Sequence, residues 1–384
     1  MNSHPSTPSS RFRFIDLLRG WAVFFMIETH VVNAVLRVDL KEEPFFKILT
    51  FLNGLVAPTF LFCAGFALAI TLQRKWREFI TFRPSMWRYV IRLLFILVVA
   101  YSLHLPFFSL ARLRALTDEH AWLSFYQVDI LQTIAVTLLL SVALAVVLRS
   151  ESIFVKLYSL IGLTIIFISP IIREMDLTAL PVWLRPYLTM QFKSQFPLFP
   201  WSAFLMGGMI VGYWFLKFKK DGKEYGFIKW LCYGSLVGIA LSLSAEVLPV
   251  AFYPHHEFWR ASPEFFFVRF GLVLLAGTGL WYYEHRKTIS PNSVFSMFGQ
   301  ESLLVYVVHL LIVYGYDYEW SFIRYFGPHL NYAEGFALFL ALSLTMYGMA
   351  FVWHWMKGWN MTVAKAVQFA TLAGIVVTFI IKES

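Results

Sequence analysis

Histidine is the side chain that takes up and returns a proton most readily near neutral pH. Two histidines of this 384-residue chain, His30 and His309, stand in apolar runs otherwise fit to cross a bilayer. The first run, FIDLLRGWAVFFMIETHVVNAVL at 14–36, also carries Asp16, Arg19 and Glu28. Ionisable groups at that depth are costly and are kept mainly where they face a protein interior or a water-filled cavity. Helical periodicity sets Arg19 and His30 three turns plus a small offset apart, about 16 Å of rise, so that Asp16, Arg19, His30 and Asn33 share one face and Glu28 points away. General base work on a hydroxyl or amine needs such an imidazole beside an orienting group. His30 or His309 is the candidate base and Asp129 or Glu28 the expected orienting carboxylate; Ser302, Tyr306 and His309 share a helical face. The competing assignment is a polar stripe that joins helices by hydrogen bonds. For His104, at a helix end, that structural role is the preferred reading.

A second chemistry is suggested by arginine, whose planar fork matches phosphate oxygens. Arg19, Arg88 and Arg92 stand next to the basic run from Arg74 to Arg83 and form the expected docking place of a phosphorylated donor. Loop cations chiefly set orientation, but Arg19 and Arg92 lie inside predicted helices. No nucleotide P-loop, HExxH or Gly-x-Ser-x-Gly is present, and the adjacent His255, His256 and Glu257 lack metal-site spacing and read as an outer loop. No metal is expected.

The elements that position these residues follow from composition. With 59% hydrophobic and 14% charged residues, the chain has too little polar surface to cover a soluble globule of its size. It reads as an all-α, polytopic membrane helix bundle of about eleven spans. Their expected limits are 14–36, 48–72, 88–105, 124–148, 153–172, 198–216, 228–249, 265–283, 294–314, 333–356 and 360–381, with Pro170 closing the fifth early. The polar start, residues 1–13, reads as a disordered cytoplasmic tail rather than a cleaved signal, and 14–384 as one membrane domain. Lys and Arg are concentrated in alternate loops, which places the N-terminus inside and the C-terminus outside, and the expected location is the cell's inner (cytoplasmic) membrane. The net charge of +9 is therefore read as topology, not as nucleic-acid binding. Trp76, Trp87, Trp122, Trp183, Trp201, Trp259 and Trp320 read as an interfacial belt. Cys63 and Cys232 read as small core residues. FPLFPW at 196–201 is expected to bend the chain into the sixth span, where Gly207, Gly208 and Gly212 allow close helix approach. Matching halves with broken helices, the mark of inverted-repeat transporters, are not found.

Sorted by depth on this topology, His30, Asn53, His104, Asp129, Gln132, Glu246, Arg269 and His309 all fall toward the outer side. Asn53 and Gln132 are the candidate acceptor-binding residues.

Five stretches, FIDLLRGWAVFFMIETH at 14–30, VAPTFLFCAGFAL at 56–68, VDILQTIAV at 128–136, FPLFPWSAFLMGGMIVG at 196–212 and FGQESLLVYVVHLLIVYG at 298–315, together resemble the transmembrane acyltransferases. The resemblance is to the bacterial relatives of heparan-alpha-glucosaminide N-acetyltransferase, with the acyltransferase-3 family more distant. It implies transfer of an acyl group, usually acetyl from cytoplasmic acetyl-CoA, to a glycan or lipid-linked sugar on the far side of the membrane. Arg19 and His30 match the first-helix Arg and His of the acyltransferase-3 families, where the His is regarded as catalytic. The lysosomal heparan enzymes instead use a His of the first outer loop, and Arg37 to Lys47 has none, a departure that favours His30. The implied partners are acyl-CoA, the acceptor and membrane lipids, and a homo-oligomer is compatible with these features. General base and acyl-histidine roles for His30 both remain open, as do oxygen and nitrogen as the acylated atom. The rival reading is a transporter or flippase for a polar or sugar-containing substrate, which would use the same buried charges as a permeation path.

Overall fold

The first helix is the axis of the molecule because it alone among the spans interrupts its apolar run with several ionisable groups, and neighbours must enclose them. In the computed structural model, which describes residues 12–117, 119–247, 253, 261–287, 290, 293–315 and 320–382, with backbone alone for 119–121, that helix is α1 (Arg13–Val35). It packs against half of the helices that follow. These are α2 (Pro44–Asn53), α3 (Val56–Ile80), α4 (Pro84–Ser102), α5 (Ile130–Leu148), α6 (Glu151–Glu174), α7 (Leu198–Lys220), α8 (Glu224–Ala245), α9 (Pro263–Arg286), α10 (Val294–Gln300), α11 (Ser302–Tyr314), α12 (Tyr332–Trp359) and α13 (Met361–Ile381). The direct neighbours of α1 are α2, α3, α9, α10, α11 and α12.

Among the described residues, nine stretches are long and apolar enough to span a membrane, and the pair α10 and α11, bent by 90°, makes a tenth. Adding α1, with its 23 residues and its charges, every expected span is occupied by helix. An all-α polytopic membrane bundle is therefore the fold. The limits differ in ways that matter for the site. The span expected at 48–72 is two helices broken at Gly54 and Leu55, the second running on to Ile80. The span expected from 124 begins at Ile130, with Asp129 as its N-cap. Helix α6 continues through Pro170 to Glu174, so the expected early stop is wrong. A proline in a spanning helix costs one backbone hydrogen bond and is tolerated in membrane helices.

Close backbone packing holds α1 to α10 and α3 to α7. A Cβ on Gly20 would lie 1.8 Å from the Phe295 carbonyl oxygen, and one on Gly299 would lie 2.1 Å from that of Asp16, so the two helices interlock through reciprocal glycines. Gly208 meets the Phe62 backbone in the same way, while Gly207 instead faces the Phe270 ring. Small residues at such crossings let van der Waals packing drive association where lipid offers no hydrophobic contrast. At the break between α10 and α11 the buried Glu301 accepts from Lys357 Nζ at 2.5 and 2.7 Å and pairs with His354 Nδ1 at 3.0 Å. A buried carboxylate at a helix break thus has the cationic partners it requires.

At the opposite end of α1, Leu330 N donates to Val35 O at 2.9 Å and Arg37 N to Leu330 O at 3.0 Å. The antiparallel run of the helices brings the last turns of α1, α4 and α11 and the first turns of α3, α5, α7 and α9 to this same end. His255, His256 and Glu257, expected in an outer loop, lie outside the described residues, as do Trp259 and the tail before Phe12.

Candidate active site

Those helix ends do not close on one another. They leave a cavity of about 720 Å³, within the range of small-molecule sites. Its lining includes His30, Asn33, Asn53, His104, Asp129, Gln132, Arg269 and Tyr306. The convergence expected from depth is therefore real for His30, Asn53, His104, Asp129, Gln132 and Arg269. Glu246 is exposed at the end of α8 and does not line the cavity.

The two histidines are in contact. His30 Nδ1 lies 2.8 Å from His309 Nε2, and His309 Nδ1 lies 2.8 Å from the Val305 carbonyl oxygen. A carbonyl only accepts, so His309 Nδ1 carries a proton. In neutral His309 the Nε2 is then the acceptor, and His30 must donate to it through Nδ1. This leaves His30 Nε2 as a lone pair on the side chain that lines the cavity. His309 itself is fully buried. The rings stack at 5.0 Å between centroids, with Tyr314 edge-on to His30 at 5.8 Å. The side chain bonded to His30 is His309, where the sequence suggested a carboxylate, Asp129 or Glu28. Glu28 is 2% exposed, packs beside Asn53 and does not line the cavity, because it projects from the other face of α1.

Asp129 is the second node. It caps α5, accepting from Ile130 N at 2.8 Å, and Gln132 Oε1 returns a bond from Asp129 N at 3.2 Å. The reciprocal cap fixes both side chains. Asp129 Oδ2 also accepts from the Tyr306 hydroxyl at 3.3 Å and lies 3.7 Å from His104 Nε2. His104 Nδ1 is held by Gln127 Nε2 at 2.5 Å. Tyr306 is edge-on to His309 at 5.9 Å, so Asp129, Tyr306, His309 and His30 form one chain of contacts. A backbone clasp sets the level of this node: Gln195 N and Phe196 N donate to Val128 O at 3.1 and 3.2 Å, and Val128 N donates to Ser194 Oγ at 2.9 Å.

Arg269 of α9 reaches across to α2, where its Nη1 donates to the Gly54 carbonyl. A Cβ at Gly54 would lie 2.2 Å from that nitrogen, so the helix break at Gly54 is what admits the guanidinium. The group also lies over the Phe265 ring at 4.5 Å.

The other predicted residues do not gather here. Arg19 pairs with Asp16 at 3.0 Å, about three turns below His30 on α1, and its side chain is 27% exposed. Arg88 and Arg92 are exposed on α4 rather than turned toward Arg19. Trp201 corrects the belt assignment: it is 7% exposed and lines the cavity, packed between Phe196 at 4.8 Å and Phe265 at 6.0 Å. Residue-by-residue reading missed Gln127; His104, read as structural, lines the cavity and is held by Gln127. The available signal was the short Gln127-Val128-Asp129 link before an apolar run, which holds a helix cap.

The structure is thus a polytopic helical bundle with a polar cavity at one end of its spans. The chain matches the family model described as heparan-alpha-glucosaminide N-acetyltransferase, catalytic, over residues 11–245, and it belongs to that family. This bears out the resemblance drawn from the motifs, and the family makes the chain a multi-pass membrane protein of acetyltransferase type. No curated protein matches the chain. The family match ends before Arg269, Tyr306 and His309, so the part of the chain beyond it completes the cavity and supplies the partner of His30.

Proposed function

We propose that the chain transfers an acetyl or other acyl group from cytoplasmic acyl-CoA to a glycan or lipid-linked sugar on the outer side of the membrane. The observation that carries this reading is the His30 and His309 pair, which leaves His30 Nε2 as an acceptor in the cavity. His30 takes the proton of the acceptor hydroxyl or amine on Nε2 as that atom attacks the thioester carbonyl; the C–S bond breaks, CoA leaves as the thiolate, and the imidazolium, which keeps its Nδ1 bond to His309, returns the proton to it. His309 holds ring and tautomer. An acyl-histidine route would use the same lone pair as nucleophile. Acyl-CoA, when bound, supplies the activated thioester.

Arg19 fits a contact to the donor's phosphates: its Nε is buried without a partner, while the side chain as a whole keeps partial exposure at the other end of α1. Arg88 and Arg92, exposed on α4, fit a more peripheral contact. Arg19→Leu is expected to weaken acyl-CoA binding, read by isothermal titration, at least about tenfold, a loss of about 1.4 kcal/mol, while Lys220→Leu changes it little. Equal losses in the two variants would mean diffuse electrostatics instead of a phosphate contact.

Orientation rests on the loop cations. Reporter fusions after Arg77 and Lys223 are expected to read cytoplasmic and one after Arg114 external. An external signal at Lys223 reverses the side from which each substrate arrives. The function itself is tested by mass spectrometry of surface glycans and lipids from cells with and without the protein, combined with consumption of labelled acetyl-CoA by the purified protein. Unchanged glycans and lipids together with no thioester consumption would defeat the proposal and leave the transport reading.

A further inference from the structure

Four polar atoms on cavity-lining side chains are buried with no hydrogen-bond partner among the described residues: Arg269 Nε, Gln132 Nε2, Trp201 Nε1 and Asn53 Oδ1. Three of the four are N–H donors, and chemistry fixes them as such. Guanidinium and indole nitrogens cannot accept. Gln132 uses its carbonyl oxygen to cap Asp129 N, which leaves its amide nitrogen as the free end.

These donors belong to one wall. Arg269 covers the Phe265 ring, Trp201 packs against Phe265 and Phe196, and the Phe196 carbonyl accepts from the hydroxyl of Thr133, the neighbour of Gln132. The wall thus runs from α9 across the start of α7 to the first turn of α5. Arg269 has no carboxylate in ion-pair range among the described residues, and its one hydrogen bond goes to a neutral carbonyl. A largely buried cation without a counter-charge is costly, and N–H donors without acceptors add to that cost. A ligand rich in acceptor oxygens and carrying negative charge removes both.

We propose that this wall is an anion subsite, in which Arg269, Gln132 and Trp201 bind carboxylate, phosphate or sulfate oxygens of the acceptor. Naming the ligand as the acceptor rests on the acyltransferase reading; the anion site itself does not. Under that reading the donor's phosphates lie at the other end of α1, and the acceptor is an acidic sugar or a sugar phosphate rather than a neutral glycan. The guanidinium, anchored to Gly54, fixes the anionic group, and the donors of Gln132 and Trp201 select its oxygens. The hydroxyl or amine to be acylated is thereby carried toward His30.

The test uses the full chain in lipid nanodiscs, with glucuronic acid, glucose 6-phosphate and glucose 6-sulfate as probes and glucose as the neutral control. At least one anion is expected to raise the melting temperature saturably and glucose to leave it unchanged; which anion acts distinguishes carboxylate, phosphate and sulfate. Arg269→Gln is expected to weaken that anion tenfold or more, and Arg269→Lys less. Gln132→Glu keeps the oxygen that caps Asp129 and replaces the donor by a carboxylate oxygen, so it too is expected to abolish the shift in a folded protein. If Arg269→Gln does not fold, Gln132→Glu and Trp201→Phe decide. Equal shifts with glucose and the anions, or parental anion affinity in Gln132→Glu and Trp201→Phe, would overturn the subsite. His30→Ala is expected to bind the anion normally. Anion binding without any acyl transfer by the parental protein would count against the acyltransferase reading alone, and transfer to neutral sugars without anion binding against the subsite alone.

Discussion

Purified His30→Ala protein is expected to transfer acyl groups at least about a hundredfold more slowly than the parent, while membrane yield and acyl-CoA affinity stay near parental. Removal of a general base typically costs roughly 10²- to 10⁴-fold, and the geometry gives His30 the attributes of one: a lone pair at Nε2, a place in the cavity lining and a fixed partner at Nδ1. A packing histidine would show the reverse pattern. Losing one interhelical hydrogen bond, worth about 0.6–2 kcal/mol in membranes, lowers yield and leaves the surviving molecules active. Acyl transfer by His30→Ala at close to the parental rate would remove His30 from the mechanism, whatever its yield.

The next largest effect is expected at His309. Replacing it with Leu removes the acceptor for His30 Nδ1 and frees the His30 ring to adopt the other tautomer, so kcat should fall roughly 10- to 100-fold, as for other residues that orient a functional histidine. KM for acyl-CoA should hardly move, since His309 is fully buried behind His30. His309→Gln can still offer a carbonyl oxygen to His30 Nδ1 and should recover part of the rate. Steady-state kinetics of the two variants checks this: equal losses in both, or a loss confined to KM, would mean that His309 supports packing rather than the tautomer.

The contrast between these residues shows what the chain reveals before it folds. His30 was legible because ionisable groups inside an apolar run are few and periodicity places this one on a face with Asp16, Arg19 and Asn33. Its partner was not. Local chemistry suggests a carboxylate to orient a histidine, and nothing in helical periodicity tells which distant helix will lie against α1 at that height. Depth was legible from hydropathy, and it brought Asn53, Asp129, Gln132 and Arg269 to the correct end. Rotation was not, because lipid-facing and core-facing positions are equally apolar; hence Trp201 read as a belt residue though it lines the cavity. The breaks at Gly54 and Glu301 fall within stretches that each read as a single span, so the spans were legible and the breaks within them were not.

The bond between His30 and His309 joins residues 279 positions apart, and this separation sets when in the life of the molecule the site comes into being. At ordinary synthesis speeds of about 5–20 residues per second, α1 waits in the membrane for roughly 15–55 s before the ribosome has made its partner. Throughout that interval the His30 imidazole is free to carry its proton on either nitrogen, and Arg269 and Tyr306 have not yet been added to the walls. A nascent chain stalled anywhere before α11 therefore holds the base without its alignment. On the proposed mechanism, ribosome-arrested chains ending before residue 309 are expected to be inert toward the thioester.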